Sequence, residues 1–203
     1  MTTDKLNESS LAAAADTPSC AIPRLSEMPI DRTMQAIELD PAAELLRVRL
    51  IDRVRTITRA GTPVESLMPG LHLSYVEKPA AVPNCFYVLS VGLILQGTKR
   101  LLIGGKTYQY GSGSMIVTSV DMPTSYELVD VRPSQPFVSL SYRLNPATLA
   151  EFLSEEDQAA SNSHEVFNVE RPAVELLEDF ERLLRLFERP EQIKSRAPLL
   201  IRD

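Results

Sequence analysis

FYVLSVGLILQGTKRLLIGGKTYQYGSGSMIVTSVDMPTSYELVDVRPSQPFVSLSYRL, residues 86–144, alternates short apolar segments with turn residues, and its reading decides the fold. Phe86 to Leu95 is an almost unbroken apolar run, the pattern of a strand buried on both faces or of a barrel wall. Gln96-Gly97-Thr98-Lys99 is a turn, and Arg100–Ile103 returns as a strand. Gly104-Gly105 between two β-rich segments is a two-residue hairpin signal. Alternation beyond it places Tyr108 and Tyr110 on one face without saying which face is inside. Gly111-Ser112-Gly113 leads into Ser114–Ser119; Asp121–Pro123 is a further turn, Tyr126–Val131 a further strand and Pro133–Pro136 a loop. Phe137–Leu144 alternates strictly, with Val138, Leu140, Tyr142 and Leu144 on one side. Short strands punctuated this regularly predict an all-β barrel or sandwich.

Upstream, Pro69-Gly70 precedes an alternating segment, Leu71 to Val76, and Pro79 and Pro83 mark a loop. Asp40-Pro41 opens a helix, aspartate as its cap and proline in its first turn. Leu46, Leu50, Val54 and Ile57 form its apolar stripe and Gly61 ends it. Residues 1–38 are polar and alanine-rich and read as a disordered leader, with a short helix near Ile30 to Leu39. Downstream, Asn145-Pro146 opens a short helix to about Leu153, 154–163 is a polar loop, and Glu165–Val169 is a last strand. Pro172 opens a helix reaching about Arg189, and another begins near Ser195. Ala173, Leu177, Phe180, Leu184 and Phe187 repeat along the first of these at heptad-like spacing. The preferred reading is a helix-on-helix seam between two copies of the chain; the alternative is packing on its own subunit.

At 203 residues, 44% hydrophobic and 24% charged, the chain has material for one sizeable core without disulfide or metal staples. No stretch approaches 18 consecutive apolar residues, and the N-terminus lacks a secretory pattern, so the expected location is cytoplasmic. Cys20 and Cys85, one in the leader and one beside a strand, read as two unpaired thiols. The net charge of −6 is unlike the basic surface by which DNA-binding modules neutralise phosphates.

A metal-dependent barrel enzyme of this kind needs paired histidines and a carboxylate converging from neighbouring strands. Gly111-Ser112-Gly113-Ser114-Met115 occupies the comparable region, and the only histidines are His72 and His164. No metal, no cofactor and no catalytic residue is therefore expected. The glycine pairs do not open a helix after a strand, as a phosphate cradle would. Ser119 and Asp121 have no histidine nearby to complete a nucleophile and base, and read as a turn or as the mouth of a pocket. Tyr87, Tyr108, Tyr110, Tyr126 and Tyr142 all fall on predicted strands, where a ring can line a barrel and a hydroxyl can meet a ligand. With Ser119 and Asp121 they are the candidate ligand-binding residues.

Leu95-Gln96-Gly97 with Lys99-Arg100, Gly105 with Tyr108 and Tyr110, and Ser119-Val120-Asp121-Met122-Pro123 together carry a resemblance. Pro69-Gly70-Leu71 begins the pattern, and Phe137–Leu144 with Asn145-Pro146 continues it. Residues 40–203 resemble the N-terminal effector-binding and dimerisation domain of AraC-type bacterial transcriptional regulators. The resemblance implies a mainly β, cupin-like (jelly-roll) barrel with flanking α-helices that senses a small-molecule effector and forms a homodimer. It places a helix-turn-helix domain beyond residue 203, through which alone DNA would be contacted. Two rival readings from other classes are a metal-poor cupin enzyme acting on a small metabolite and a stand-alone small-molecule binding module.

Overall fold

A computed structural model describes residues 25–33, 37–147 and 166–201. The expected helix from Pro146 to Leu153 lies almost wholly outside these residues, as does most of the leader. Asp40 begins the first helix as its side chain predicts: one carboxylate oxygen accepts the backbone N–H groups of Ala42 and Ala43 at 3.0 and 2.9 Å. Helix α1 spans Pro41–Arg59 and buries Ala43, Leu50, Val54 and Ile57. A short turn of helix, α2, spans Val64–Leu67.

Eight strands then follow: β2 Leu71–Val76, β3 Ala81–Tyr87, β4 Ser90–Gln96, β5 Thr98–Ile103, β6 Lys106–Gly111, β7 Ser114–Thr118, β8 Met122–Val129 and β9 Phe137–Arg143. With β1 (Arg32–Thr33) and β10 (Phe167–Glu170) they build two five-stranded sheets, ordered β1-β6-β5-β8-β3 and β10-β7-β4-β9-β2. The mainly β fold with flanking helices is thus the one the sequence predicts.

Three expectations need correction. Phe86 to Leu95 is not one strand. Phe86 and Tyr87 pair with Pro123 and Met122 in the first sheet, whereas Ser90–Ile94 pair with β7 and β9 in the second. Both halves are apolar because both sheets need apolar strands, so unbroken apolarity conceals the corner at Val88-Leu89. That corner is fastened by polar groups: the Asp121 carboxylate accepts the Leu89 N–H, and the Ser90 hydroxyl donates to the Val88 carbonyl. Pro83 lies within β3, tolerated because β3 is an edge strand and the register slips there, with Asn84 at φ +53.

Second, where a short helix was expected near Ile30, Arg32–Thr33 is extended and pairs in parallel with Tyr108-Gln109. Asp31 clamps this register: its N–H donates to the Thr107 carbonyl and its carboxylate accepts the Thr107 N–H at 2.7 Å. Third, the helix α3, Val174–Arg185, does form a helix-on-helix seam, but its partner is α1 of the same chain. Leu177, Phe180 and Leu184 share one core with Leu50 and Val54 of α1 and with Leu71, Leu93, Leu95, Val138 and Leu140 of the second sheet. Leu184 has no exposed surface left, so these three side chains have nothing to offer a second copy; Ala173 is exposed and Phe187 half-buried. Arg53 of α1 ties the two helices further by donating to Glu181, which also accepts from Arg185. A final helix, α4 (Ile193–Leu200), adds Ile193 and Ala197 to the same core.

Between β4 and β5 the chain passes from the second sheet to the first in a single residue, Gly97. Its φ of +91 is open to glycine, and a Cβ there would come within 3.2 Å of Phe137. Helices therefore cover the outer face of one sheet, while the inner faces of both meet each other.

Candidate functional site

Alternation decides what lies between the sheets. In β9 and β2, Val138, Leu140, Leu71 and Leu73 point outward to the helices, which turns Ser139, Ser141, His72 and Ser74 inward. Gly92 and Ile94 of β4 and Ile116 and Thr118 of β7 continue that inner surface. From the first sheet come Cys85 and Tyr87 of β3, Lys99 of β5, Tyr110 of β6, and Tyr126 and Leu128 of β8. They enclose a cavity of about 270 Å³, with Phe86, 72% exposed, at its rim.

Lys99 dominates the electrostatics. Its ammonium sits 3.8 Å from the centroid of the Tyr126 ring and 5.0 Å from that of Tyr87. Burial lowers its pKa from 10.5 to about 8, with the Cys85 thiol acting weakly in the other direction. Each ring contact contributes about 0.5–2 kcal/mol. Removing an ammonium from water costs several kcal/mol, so the rings offset only part of the penalty. No Asp or Glu lines the cavity among the described residues. Burial also raises the Tyr87 pKa well above its ordinary value, reinforced by the neighbouring Tyr110 hydroxyl. Tyr110, fully buried, is likewise pushed up by its surroundings, so both phenols are neutral donors at physiological pH. The Cys85 thiol lies 3.0 Å from the Thr124 hydroxyl. Among the described residues no three His, Cys, Asp or Glu side chains are grouped to hold a metal ion.

Of the candidate ligand-binding residues, the structure brings Tyr87, Tyr110 and Tyr126 together around the cavity. Tyr108 shares the inner face with Tyr110 but packs on Phe167, ring centroids 5.4 Å apart, and does not reach the cavity. Ser119 and Asp121 are exposed on the β7–β8 connection, where Asp121 has the turn-fastening role described above. Tyr142 is on the wrong face: it packs in the core between sheet and helices, beside Gly70. Sequence reasoning missed Lys99, His72, Ser139 and Ser141. The signal for Lys99 was its two-residue spacing from Leu101, a fully buried side chain on the same face.

The family profile described as the AraC-type transcriptional regulator N-terminus matches residues 67–203. No curated protein sequence matches the chain. Among solved structures, an apo form of ToxT from Vibrio cholerae is similar over 61% of this chain and 50% of its own, at 10% identity and a TM-score of 0.43. ToxT from the same organism bound to an unsaturated fatty acid is similar over 65% of this chain and 50% of its own, at 12% identity and a TM-score of 0.41. For the AraC-like transcriptional activator CuxR the shares are 66% and 48%, at 14% identity and a TM-score of 0.39. The chain spans about half the length of the solved proteins it matches. No described helix is long and apolar enough to cross a membrane.

Proposed function

The chain belongs to the family of AraC-type transcriptional regulator N-termini, and from that premise we propose that it is the small-molecule-sensing and dimerisation half of such a regulator. The observation that carries this reading is the cavity of about 270 Å³ enclosed by the inner faces of both sheets. Its lining mixes hydrophobic walls with a few converging polar groups, the composition of a ligand pocket. A bound effector stabilises the conformations that hold it best, and thereby biases the geometry of whatever is joined to the domain. In a regulator that bias acts on the spacing of two DNA-binding domains over their half-sites. DNA contact is assigned to a separate helix-turn-helix domain, since this chain carries a net charge of −6. The reading gives no residue a chemical step and places the protein in the cytoplasm. Pairing of two copies, which it also includes, uses surface other than Leu177, Phe180 and Leu184.

Gly92 supplies the test. It lines the cavity, and a Cβ there meets only ordinary contacts, Ser141 at 3.4 Å and the Leu140 carbonyl at 3.5 Å. Gly92→Leu therefore fills the cavity from one wall. Native mass spectrometry of protein purified from its host is expected to show a small molecule on the wild type and none on Gly92→Leu. A wild-type protein that retains nothing, and takes up nothing from a metabolite extract of that host, overturns the reading.

A further inference from the structure

Resting on the reading of the cavity as the effector site, we propose that the effector is a compact apolar monocarboxylate whose carboxylate pairs with Lys99 between the rings of Tyr87 and Tyr126. Lys99 is the only lysine or arginine among the lining residues, and no described carboxylate or hydrogen-bond acceptor answers it. An ammonium offers three donors and no acceptor; here ring faces, which give it no hydrogen-bond acceptor, lie beside it. A buried charge is retained where something pairs with it, and in this cavity the partner must arrive from outside.

The rest of the lining narrows the class. One cation matches one carboxylate; a phosphate ester carries about two negative charges and would find one ammonium, no guanidinium and, beyond that, only the exposed imidazole of His72. A neutral polyol would leave the ammonium without its counter-charge. The Tyr110 phenol, which accepts from Tyr87 and keeps its own proton to give, and the hydroxyls of Ser139 and Ser141 can donate to carboxylate oxygens in the cavity. Ile94, Ile116, Leu128 and Phe137 leave the remaining volume apolar. Benzene fills a cavity of about 150 Å³, so about 270 Å³ admits one ring, or a branched chain of similar bulk, carrying a carboxylate.

The test compares acids with their own amides, which match in shape and differ in charge. Benzoate, phenylacetate, hexanoate and 4-methylpentanoate, each beside its amide, are titrated into the wild-type chain by calorimetry. At least one acid is expected to bind about ten- to a hundredfold more tightly than its amide, the worth of a charge-assisted hydrogen bond. Lys99→Met is expected to bring acid and amide to equal affinity. The wild-type comparison stands without the variant, whose folding is checked by circular dichroism. Amides that bind as well as their acids, or acid affinity that survives Lys99→Met, overturn the carboxylate assignment while leaving the cavity an effector site. Failure of every acid and every amide to bind a wild-type protein that still retains a molecule from its host overturns the carboxylate assignment alone; the same failure with a wild type that retains nothing and takes up nothing from the host extract overturns both.

Discussion

Replacing Lys99 with methionine should make the ligand-free protein more stable. In the unfolded chain Lys99 titrates at its ordinary 10.5, and in the fold at about 8. At pH 7 it is charged in both states, and the gap between those values corresponds to roughly 3 kcal/mol in favour of unfolding. Methionine keeps the length of the side chain, brings no charge, and gives up the two ring contacts, which contribute about 0.5–2 kcal/mol each. Lys99 is only partly buried, so each contact sits in the lower part of that range, about 0.5–1 kcal/mol, and the net gain at pH 7 is about 1–2 kcal/mol, or a melting temperature higher by about 2–8 °C for a domain of this size. The sign of the pH dependence follows from the lowered pKa. Between about 8 and 10.5 the unfolded chain holds a proton that the folded chain has lost, so raising the pH stabilises the wild-type fold across that window. The variant lacks this increment, and its advantage shrinks from pH 7 to pH 9.5. Tyr87 and Tyr110 pull the other way near pH 10, because unfolding lets them ionise, but they are common to both proteins and cancel in the difference. Urea titrations followed by circular dichroism at the two pH values measure it. A variant less stable at pH 7, or a difference unchanged at pH 9.5, would refute the view that Lys99 is a strained charge.

Leu184→Ala is expected to cost about 2–5 kcal/mol, as truncation of a fully buried leucine does, and Leu184→Asp to leave an unfolded chain rather than a folded monomer; denaturation curves and sedimentation check the two. Burial raises the Glu181 pKa, but hydrogen bonds from Arg185 and Arg53 outweigh it and hold the carboxyl below its ordinary value. Its contribution is therefore complete above about pH 4.5 and lost as the pH falls further. Glu181→Gln should cost about 1–3 kcal/mol at pH 7 and much less at pH 3, read by urea titration. Gly113 has φ +82, and a Cβ there would stand 2.5 Å from the Ile37 carbonyl. Gly113→Ala should destabilise by about 1–3 kcal/mol and expose the Ile37 and Gly113 amides, which hydrogen exchange would report. Tyr126→Ala should weaken a bound acid, whereas Tyr142→Ala, on the helix-facing side of the sheet, should leave its affinity unchanged by calorimetry.

The hairpins were legible because turn chemistry is local: Gly104-Gly105 needs no knowledge of the rest of the chain to be read as a link between β5 and β6. The cap of α1 was legible for the same reason. Which face of a strand is inside is not local. In β9 the alternation of Val138, Leu140 and Tyr142 is plain in the sequence, but alternation does not say which side faces inward, and this is the side the helices cover. The cavity side is marked instead by Ser139 and Ser141. A sheet coated by helices on one face and lining a polar cavity with the other inverts the usual rule that apolar means inward, so Tyr142, a candidate by its strand position alone, lies on the helix side. The partner of α3 was invisible for a related reason. A heptad-like stripe states that another apolar surface covers the helix, and only the tertiary structure says that α1 of the same chain supplies it.

The chain has six tyrosines and no tryptophan, and three of the six, Tyr87, Tyr110 and Tyr126, surround the cavity. Half of its tyrosine chromophores therefore sit at one place, two of them with the Lys99 ammonium against their rings. Emission excited near 275 nm, together with the near-ultraviolet dichroic signal, is consequently weighted toward the state of that single compartment. Occupancy, protonation of Lys99 and collapse of the cavity would each alter the optical properties of these rings. The domain is in effect a self-labelled sensor, and its own spectrum can follow the cavity without a dye or an engineered reporter.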